Sequence, residues 1–200
     1  FGLPKNYNAG FQTRGDCFSP DIEKAGYRCH HFEGQPDLRG TNWERQQARL
    51  AKWIHRLPKP IGIMTANDDL GFQLLSACHR ACTEVPESVA VLGVDNDTHL
   101  CDLAIPSLSS IDINTDETGY RAAQLLDRLM SGRKLPKTLP SIPPKAVVVR
   151  RSTDILATDD QAVLKAVAFI RLHACQDAGV AEVLQHVSVS RSNLEPRFKK

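Results

Sequence analysis

Three predicted parallel strands of this sequence each run into polar side chains. Glu33 follows YRCHHF, Asn67-Asp68-Asp69 follow IGIMTA, and Asp95-Asn96-Asp97 follow VAVLGV. A carboxylate accepts hydrogen bonds from two hydroxyls, and a side-chain amide both donates and accepts. That mixture suits a neutral polyol better than a phosphate. Neither glycine-rich phosphate loop, G-x-G-x-x-G or G-x-x-x-x-G-K-[ST], occurs. Asp68 or Asp69 serves equally well as a helix cap. Asp95 is the better ligand residue, because no helical pattern follows it directly. Trp43, Trp53 or Phe72 would supply an aromatic wall, although the spacing of each also fits a core position.

A different chemistry stands at the other end, in SVSRSNLEPRFKK, residues 188–200. A helix over 180–187, a short turn and a second helix from Ser190 have the form of a helix-turn-helix. Ser190 would cap the second helix. Arg191, Ser192 and Asn193 would then approach base edges, where arginine and asparagine make bidentate contacts. Arg197, Lys199 and Lys200 would meet phosphates. Pro196 opposes this. With Ser190 as the cap it removes the bond to the Ser192 carbonyl, at a cost of about 3 kcal/mol in a regular helix.

Other chemistries find little support. Ser76, His79 and an aspartate form a triad only on paper, and no G-x-S-x-G elbow frames a serine. The sequence therefore predicts no enzyme and no cofactor. Cys78 and Cys82 share a helix face beside His79. No second ligand pair follows at zinc spacing, so no metal is expected. The six cysteines read as small buried apolar residues in a reducing compartment.

The elements that must position these groups follow from periodicity. Residues 1–20 read as irregular, with a helix over 18–25 and a strand over 27–32. Thr41 and Glu44 have capping-box spacing. Trp43, Gln47, Leu50, Ile54 and Leu57 then repeat at three and four, until Pro58 and Pro60 stop the helix. Strands over 61–66 and 89–94 enclose a helix from Asp68 or Asp69. A strand within 106–114 and a helix from Asp116 to Gly132 follow. The stretch 135–145 carries four prolines and reads as extended, before a last strand over 146–153. Alternation of strands and helices predicts an α/β fold with a parallel sheet covered by helices. After Ser152 the texture becomes all-helical. Helices are expected over 159–175, with Val163, Val167, Ile170 and Ala174 on one face, and over 180–187, with Val180, Val183, Leu184 and Val187 inward. The domains are therefore 1–153 and 154–200. A net charge of +2 announces no polyanion partner for the chain as a whole. No run approaches the roughly 20 apolar residues of a membrane span, and FGLPKNYNAG lacks the pattern of a signal peptide.

GIMTANDD, VPESVAVLGVDND and PSLSSIDINTDETGYRAAQLLDRLMSG together resemble the sugar-sensing domain shared by LacI/GalR repressors and periplasmic sugar-binding proteins. VVVRRSTD, AVAFIRLHAC and VSRSNLEPRFKK resemble the entry into the DNA-binding region of AraC-type regulators. The joined pair resembles the xylose operon regulators. This resemblance implies a periplasmic-binding-protein-like lobe followed by a helix-turn-helix region in a cytoplasmic, homodimeric transcription regulator of the AraC type. D-Xylose would be the effector and DNA the partner. The effector would touch Asn67, Asp68, Asp95 and Asn96, and Arg14 matches an arginine that many relatives place near it. The resemblance further implies a fragment, lacking most of the first lobe and the second helix-turn-helix unit. The helix over 116–131 would then leave Tyr120, Leu125, Leu126 and Leu129 partly exposed, and would detach or self-associate. A sugar-binding protein for transport is the alternative.

Overall fold

Leu50 and Ile54 are wholly buried one turn apart, on the helix whose periodicity is strongest in the sequence. They anchor the larger of two compact units, Phe1–Ile155; the second is Leu156–Lys200. The computed structural model describes residues 1–3, 9–35, 42–136, 138, 141–156, 158, 160–173 and 179–199. Thr41, Ala174, Cys175, Lys200, the loop residues 36–40 and positions 137, 139 and 140 of the proline stretch lie outside the described residues, as does the side chain of Lys199.

The first unit runs α1 (Ala9–Lys24), α2 (Trp43–Arg56), β1 (Ile61–Met64), α3 (Asp68–Arg80), β2 (Val89–Val94), α4 (Thr98–Leu103), β3 (Ser109–Asp112), α5 (Thr115–Met130) and β4 (Ala146–Val148). The sheet order is β1-β2-β3-β4. β1 pairs parallel with β2, and β2 with β3. α2 and α3 bury Leu50, Ile54, Leu74 and Cys78 in one core with Ile63, Val89, Val91 and Leu108 from the sheet side. Truncating a wholly buried leucine such as Leu50 to alanine costs about 2–5 kcal/mol.

Four expectations are corrected. β4 pairs antiparallel with β3, so the sheet is mixed rather than parallel. A helix alone would return the chain for another parallel strand. Here a proline-bearing stretch follows α5, and the chain meets β3 at its far end, where the Lys145 amide donates to Asp112 at 2.8 Å. β4 is also short; residues 151–153 form a 3-10 turn instead of continuing the strand. Residues 9–24, read as largely irregular, form α1 with Pro20 inside it. The 27–32 stretch is no strand. An alternating pattern needs a ladder partner, and only Glu33 makes a bridge, to Gly2. Phe1 and Gly2 lie between two backbones: Ala66 N–H donates to Phe1 at 2.9 Å, and Gly2 N–H donates to Phe32 at 3.1 Å.

α5 buries none of its residues. Tyr120, Leu126 and Leu129 are exposed and Leu125 is half-buried, in line with the exposure expected for this helix. Its N-cap is Asn114, at φ 62°, rather than Asp116.

The second unit is all-helical: α6 (Gln161–His173), α7 (Val180–Val187) and α8 (Arg191–Leu194), the last continued by a 3-10 turn over Glu195–Lys199. Its small core is Ala166, Val183 and Leu194, with Phe169, Leu184 and Val187 packed on it. The buried face of α6 is thus Val163 and Ala166, and Ile170 is exposed. Phe169 sets that rotation by stacking on His186 of α7, with ring centroids 4.6 Å apart. Val180, expected inward, is exposed.

Candidate functional site

The polar residues after β1 and β2 occupy neighbouring ends of two parallel strands. In open α/β sheets ligands bind outside the carboxyl ends of strands. The backbone decides what each side chain does there. After β1 the chain is extended at Asn67 (φ −156°, ψ 176°) and enters α3 at once. Asn67 is the cap: its Oδ1 accepts from the Leu70 amide at 3.0 Å. Neither Asp68 nor Asp69 caps the helix. Asp69 accepts from Gln73 on the helix surface at 2.9 Å. Asp68 turns inward and is 2% exposed.

The Asp68 carboxylate ties three elements together. It accepts from the Ser110 hydroxyl at 2.5 Å and from the Asp97 amide at 2.7 Å. Gly93 in β2 makes room for it, since a Cβ there would sit 2.2 Å from an Asp68 oxygen. Asp68 thus braces the site from below.

After β2 the chain bends differently. Asp95 and Asn96 both have positive φ, 109° and 54°. Non-glycine residues held there store about 1–3 kcal/mol each, and such strain clusters at ligand sites. Asp97 then caps α4, accepting from the His99 and Leu100 amides at 3.0 and 3.3 Å. No periodic pattern in residues 98–103 announces this short helix.

The bend directs the Asp95 carboxylate towards α1, where Arg14 meets it at 3.1 Å. The same guanidinium donates to the Ala66 carbonyl after β1. The pair joins residues 81 positions apart and is only partly shielded, with side-chain exposures of 30% and 38%. Burial pushes the Asp95 carboxyl above its usual range. Arg14 opposes that shift, while Asp68 and Asp97 add to it. A guanidinium beside a carboxylate offers paired donors and acceptors to adjacent hydroxyls. Arg14 also lines a cleft of about 1040 Å³ whose walls include Phe11, Phe18, Phe32 and Trp53; Asp95 and Asn96 lie outside its lining. Of the aromatic residues considered for a wall, Trp53 is the one that lines it. Phe72 packs on the core.

Asn96 looks the other way. Its Oδ1 accepts from Arg150 at 3.1 Å, and its amide donates to the Ser110 hydroxyl at 3.0 Å. Sequence reasoning missed Arg150, Ser109, Ser110 and Ser152. It also missed Gly93, although a glycine inside a strand marks a close approach.

The helical tail has its own geometry. α7 and α8 are joined through Ser188, at φ 54°, and Val189. Ser190 is the N-cap by backbone position, but its side chain makes no capping bond and instead lies 3.2 Å from the Ser192 hydroxyl. Arg191, Ser192 and Asn193 are exposed. Arg191 pairs with Glu195 at 2.6 Å. Arg197 pairs with Asp160 at 3.2 Å rather than standing clear. Burial alone would raise the Asp160 carboxyl, but the Ala162 and Val163 amides and Arg197 together hold it below its ordinary value. The α-helix stops before Pro196, and the backbone tightens to 3-10 pairing.

Cys78 and Cys101 are buried, with thiols pushed up to about 12 by burial, whereas Cys17 and Cys82 are exposed. The reading of all six as buried is corrected accordingly. Among the described residues no cluster of three or more His, Cys, Asp or Glu forms a metal site. No described helix is long and apolar enough to cross a membrane.

Comparison with known proteins gives this geometry a context. The family model for a periplasmic binding protein-like domain matches residues 4–153. The xylose operon regulatory protein of Haemophilus influenzae is 40% identical over 200 residues, covering all of this chain and 51% of the relative. That of Escherichia coli K12 is 36% identical over the same span, again 51% of its length. The chain therefore spans about half the length of the curated relatives it matches. Among solved structures, a xylose-binding transcription activator superposes with a TM-score of 0.79 at 36% identity, over 99% of this chain and 52% of that one.

Proposed function

The chain belongs to the periplasmic binding protein-like domain family, and on that premise we propose that it is part of a cytoplasmic, sugar-responsive transcription regulator whose effector is D-xylose. The carrying observation is the Arg14–Asp95 pair at 3.1 Å at the carboxyl end of β2. Residues 1–153 form the sensor. Asp95 accepts two hydroxyls of the pentose, Arg14 donates to a third, and Asn67 and Asn96 flank them. Asp68 contributes by holding the loop. The relatives are regulators by name, which favours this reading over both a transport protein and an enzyme.

Residues 154–200 are the opening of an AraC-type helix-turn-helix region that acts on DNA within a homodimer. Arg191, Ser192 and Asn193 are its base-reading side chains, and Arg197 and Lys199 its phosphate contacts. Engagement of Arg191 and Arg197 with Glu195 and Asp160, and the stop before Pro196, make specific DNA binding by this chain alone weak.

Calorimetric titration with D-xylose, L-arabinose and D-ribose tests the sensor. Saturable binding tightest for D-xylose is expected; heat from none of the three pentoses would remove the reading. In a gel shift the chain alone gives no tight, sequence-specific complex, and tight specific binding would overturn the view of the tail.

A further inference from the structure

We propose that Arg150 is a positioning residue that reports the state of the Asp95–Asn96 bend to residues 150–154, where the sensor unit ends. The inference rests on the sugar reading of that bend. It concerns how occupancy is passed on, which nothing in that reading assigns.

Arg150 lies two residues after the end of the last strand, and its side chain is 14% exposed. Its guanidinium makes three contacts, each to a different part of the β2–β3 region. Nε donates to Asp102 of α4 at 2.9 Å. Nη1 donates to Asn96 Oδ1 and to the Leu108 carbonyl, both at 3.1 Å. A planar guanidinium holds such partners in a fixed fork, so moving one partner moves the others or breaks a bond.

The backbone around Arg150 is held by the same region. The Arg150 amide donates to the Ser109 hydroxyl at 2.7 Å, and that hydroxyl donates to the Arg150 carbonyl at 3.0 Å. The Ser152 hydroxyl donates to the Val91 carbonyl at 2.6 Å and accepts from the Ser109 amide at 2.8 Å. Ser109, Ser110 and Ser152 are wholly buried. The Ser110 hydroxyl accepts from the Asn96 amide and donates to Asp68. Adjacent Ser109 and Ser110 thus face two ways, one holding residues 150–152 and the other the bend. A satisfied buried network of this kind has few intermediate arrangements, because each broken bond strands a buried polar group.

Asp95 and Asn96 are also the strained residues of the loop, with positive φ. A sugar seated on Asp95 acts on a bend whose next residue is already gripped by Arg150. Occupancy therefore steadies Asn96, and through Arg150 it steadies residues 150–154. By reciprocity, loosening Arg150 loosens the bend.

Hydrogen exchange on the full chain tests this, with wild type, Arg150→Lys and Arg150→Gln each measured with and without D-xylose and each titrated calorimetrically. In wild type, D-xylose slows exchange at both 95–97 and 150–154 by about tenfold. Arg150→Lys binds D-xylose within about tenfold of wild type and keeps the slowing at 95–97, but the slowing at 150–154 falls below about twofold. If Arg150→Lys does not bind, Arg150→Gln carries the same comparison, since both leave the bend's own side chains in place. Full ligand-induced slowing at 150–154 in the variant that binds would overturn the relay while leaving the sugar reading intact. Loss of binding in both variants would also overturn it, by making the network part of the binding site. A wild type that binds no pentose would bring down both.

Discussion

Asn67-Asp68-Asp69 and Asp95-Asn96-Asp97 use the same residue types at the ends of neighbouring parallel strands, yet they do opposite work. The first triplet enters a helix directly, so Asn67 caps it and Asp68 is folded inward, 2% exposed and bonded to Ser110 and Asp97. The second triplet spends two residues at positive φ before its helix begins, and that bend presents Asp95 to Arg14. Residue type is therefore a poor guide to role. The backbone between strand and helix decides which carboxylate braces the loops and which is held out towards Arg14.

The bracing side is where disruption costs most. Gly93→Ala would drive a methyl into the Asp68 carboxylate and the Leu108 side chain. It would also disturb two charge-assisted hydrogen bonds. A loss of about 3 kcal/mol is expected, read as a clear fall in the denaturation midpoint. Asp68→Asn should cost less, about 2 kcal/mol. An amide supplies one acceptor oxygen and must turn its NH2 towards the Ser110 hydroxyl or the Asp97 amide. If Asp68→Asn melts like wild type, the bracing role is wrong and the two triplets are more alike than the structure makes them.

The offered side should behave in the opposite sense. Asp95 has its carboxyl pKa raised in the folded state, by burial above all. A raised carboxyl binds its proton more readily folded than unfolded, so ionising it costs stability above that pKa. The cost disappears as pH falls through the ordinary carboxylate range near about 4. Asp95→Asn should therefore melt slightly higher than wild type at pH 7, by under about 2 °C, with the gap closing on acidification. A gap that widens on acidification would mean that the Arg14 pairing dominates instead.

Much of the scaffold was legible. Strand runs at 61–66 and 89–94 and the stripe Gln47, Leu50, Ile54 come straight from apolar periodicity. Asp95 stood out because no helical pattern followed it at once, and it is the residue that meets Arg14. What was hidden depends on long-range encounters. Nothing local in α1 announces that Arg14 will reach a residue 81 positions away. The serines of β3 look like any polar residues in SLSSIDI until the sheet pairs them with Ser152 and Asn96. The antiparallel β4 was missed because strand direction is set by the connection, and a proline-bearing stretch carries no sign of where it returns.

If Asp95 is a ligand contact rather than a bracing group, its loss weakens sugar binding without unfolding the chain. Titration of Asp95→Ala with D-xylose beside wild type, each with its melting temperature, tests that most directly. Binding at least about tenfold weaker, with a melting temperature within about 2 °C of wild type, is expected. Unchanged affinity, or a collapse of stability like that expected for Gly93→Ala, would contradict it.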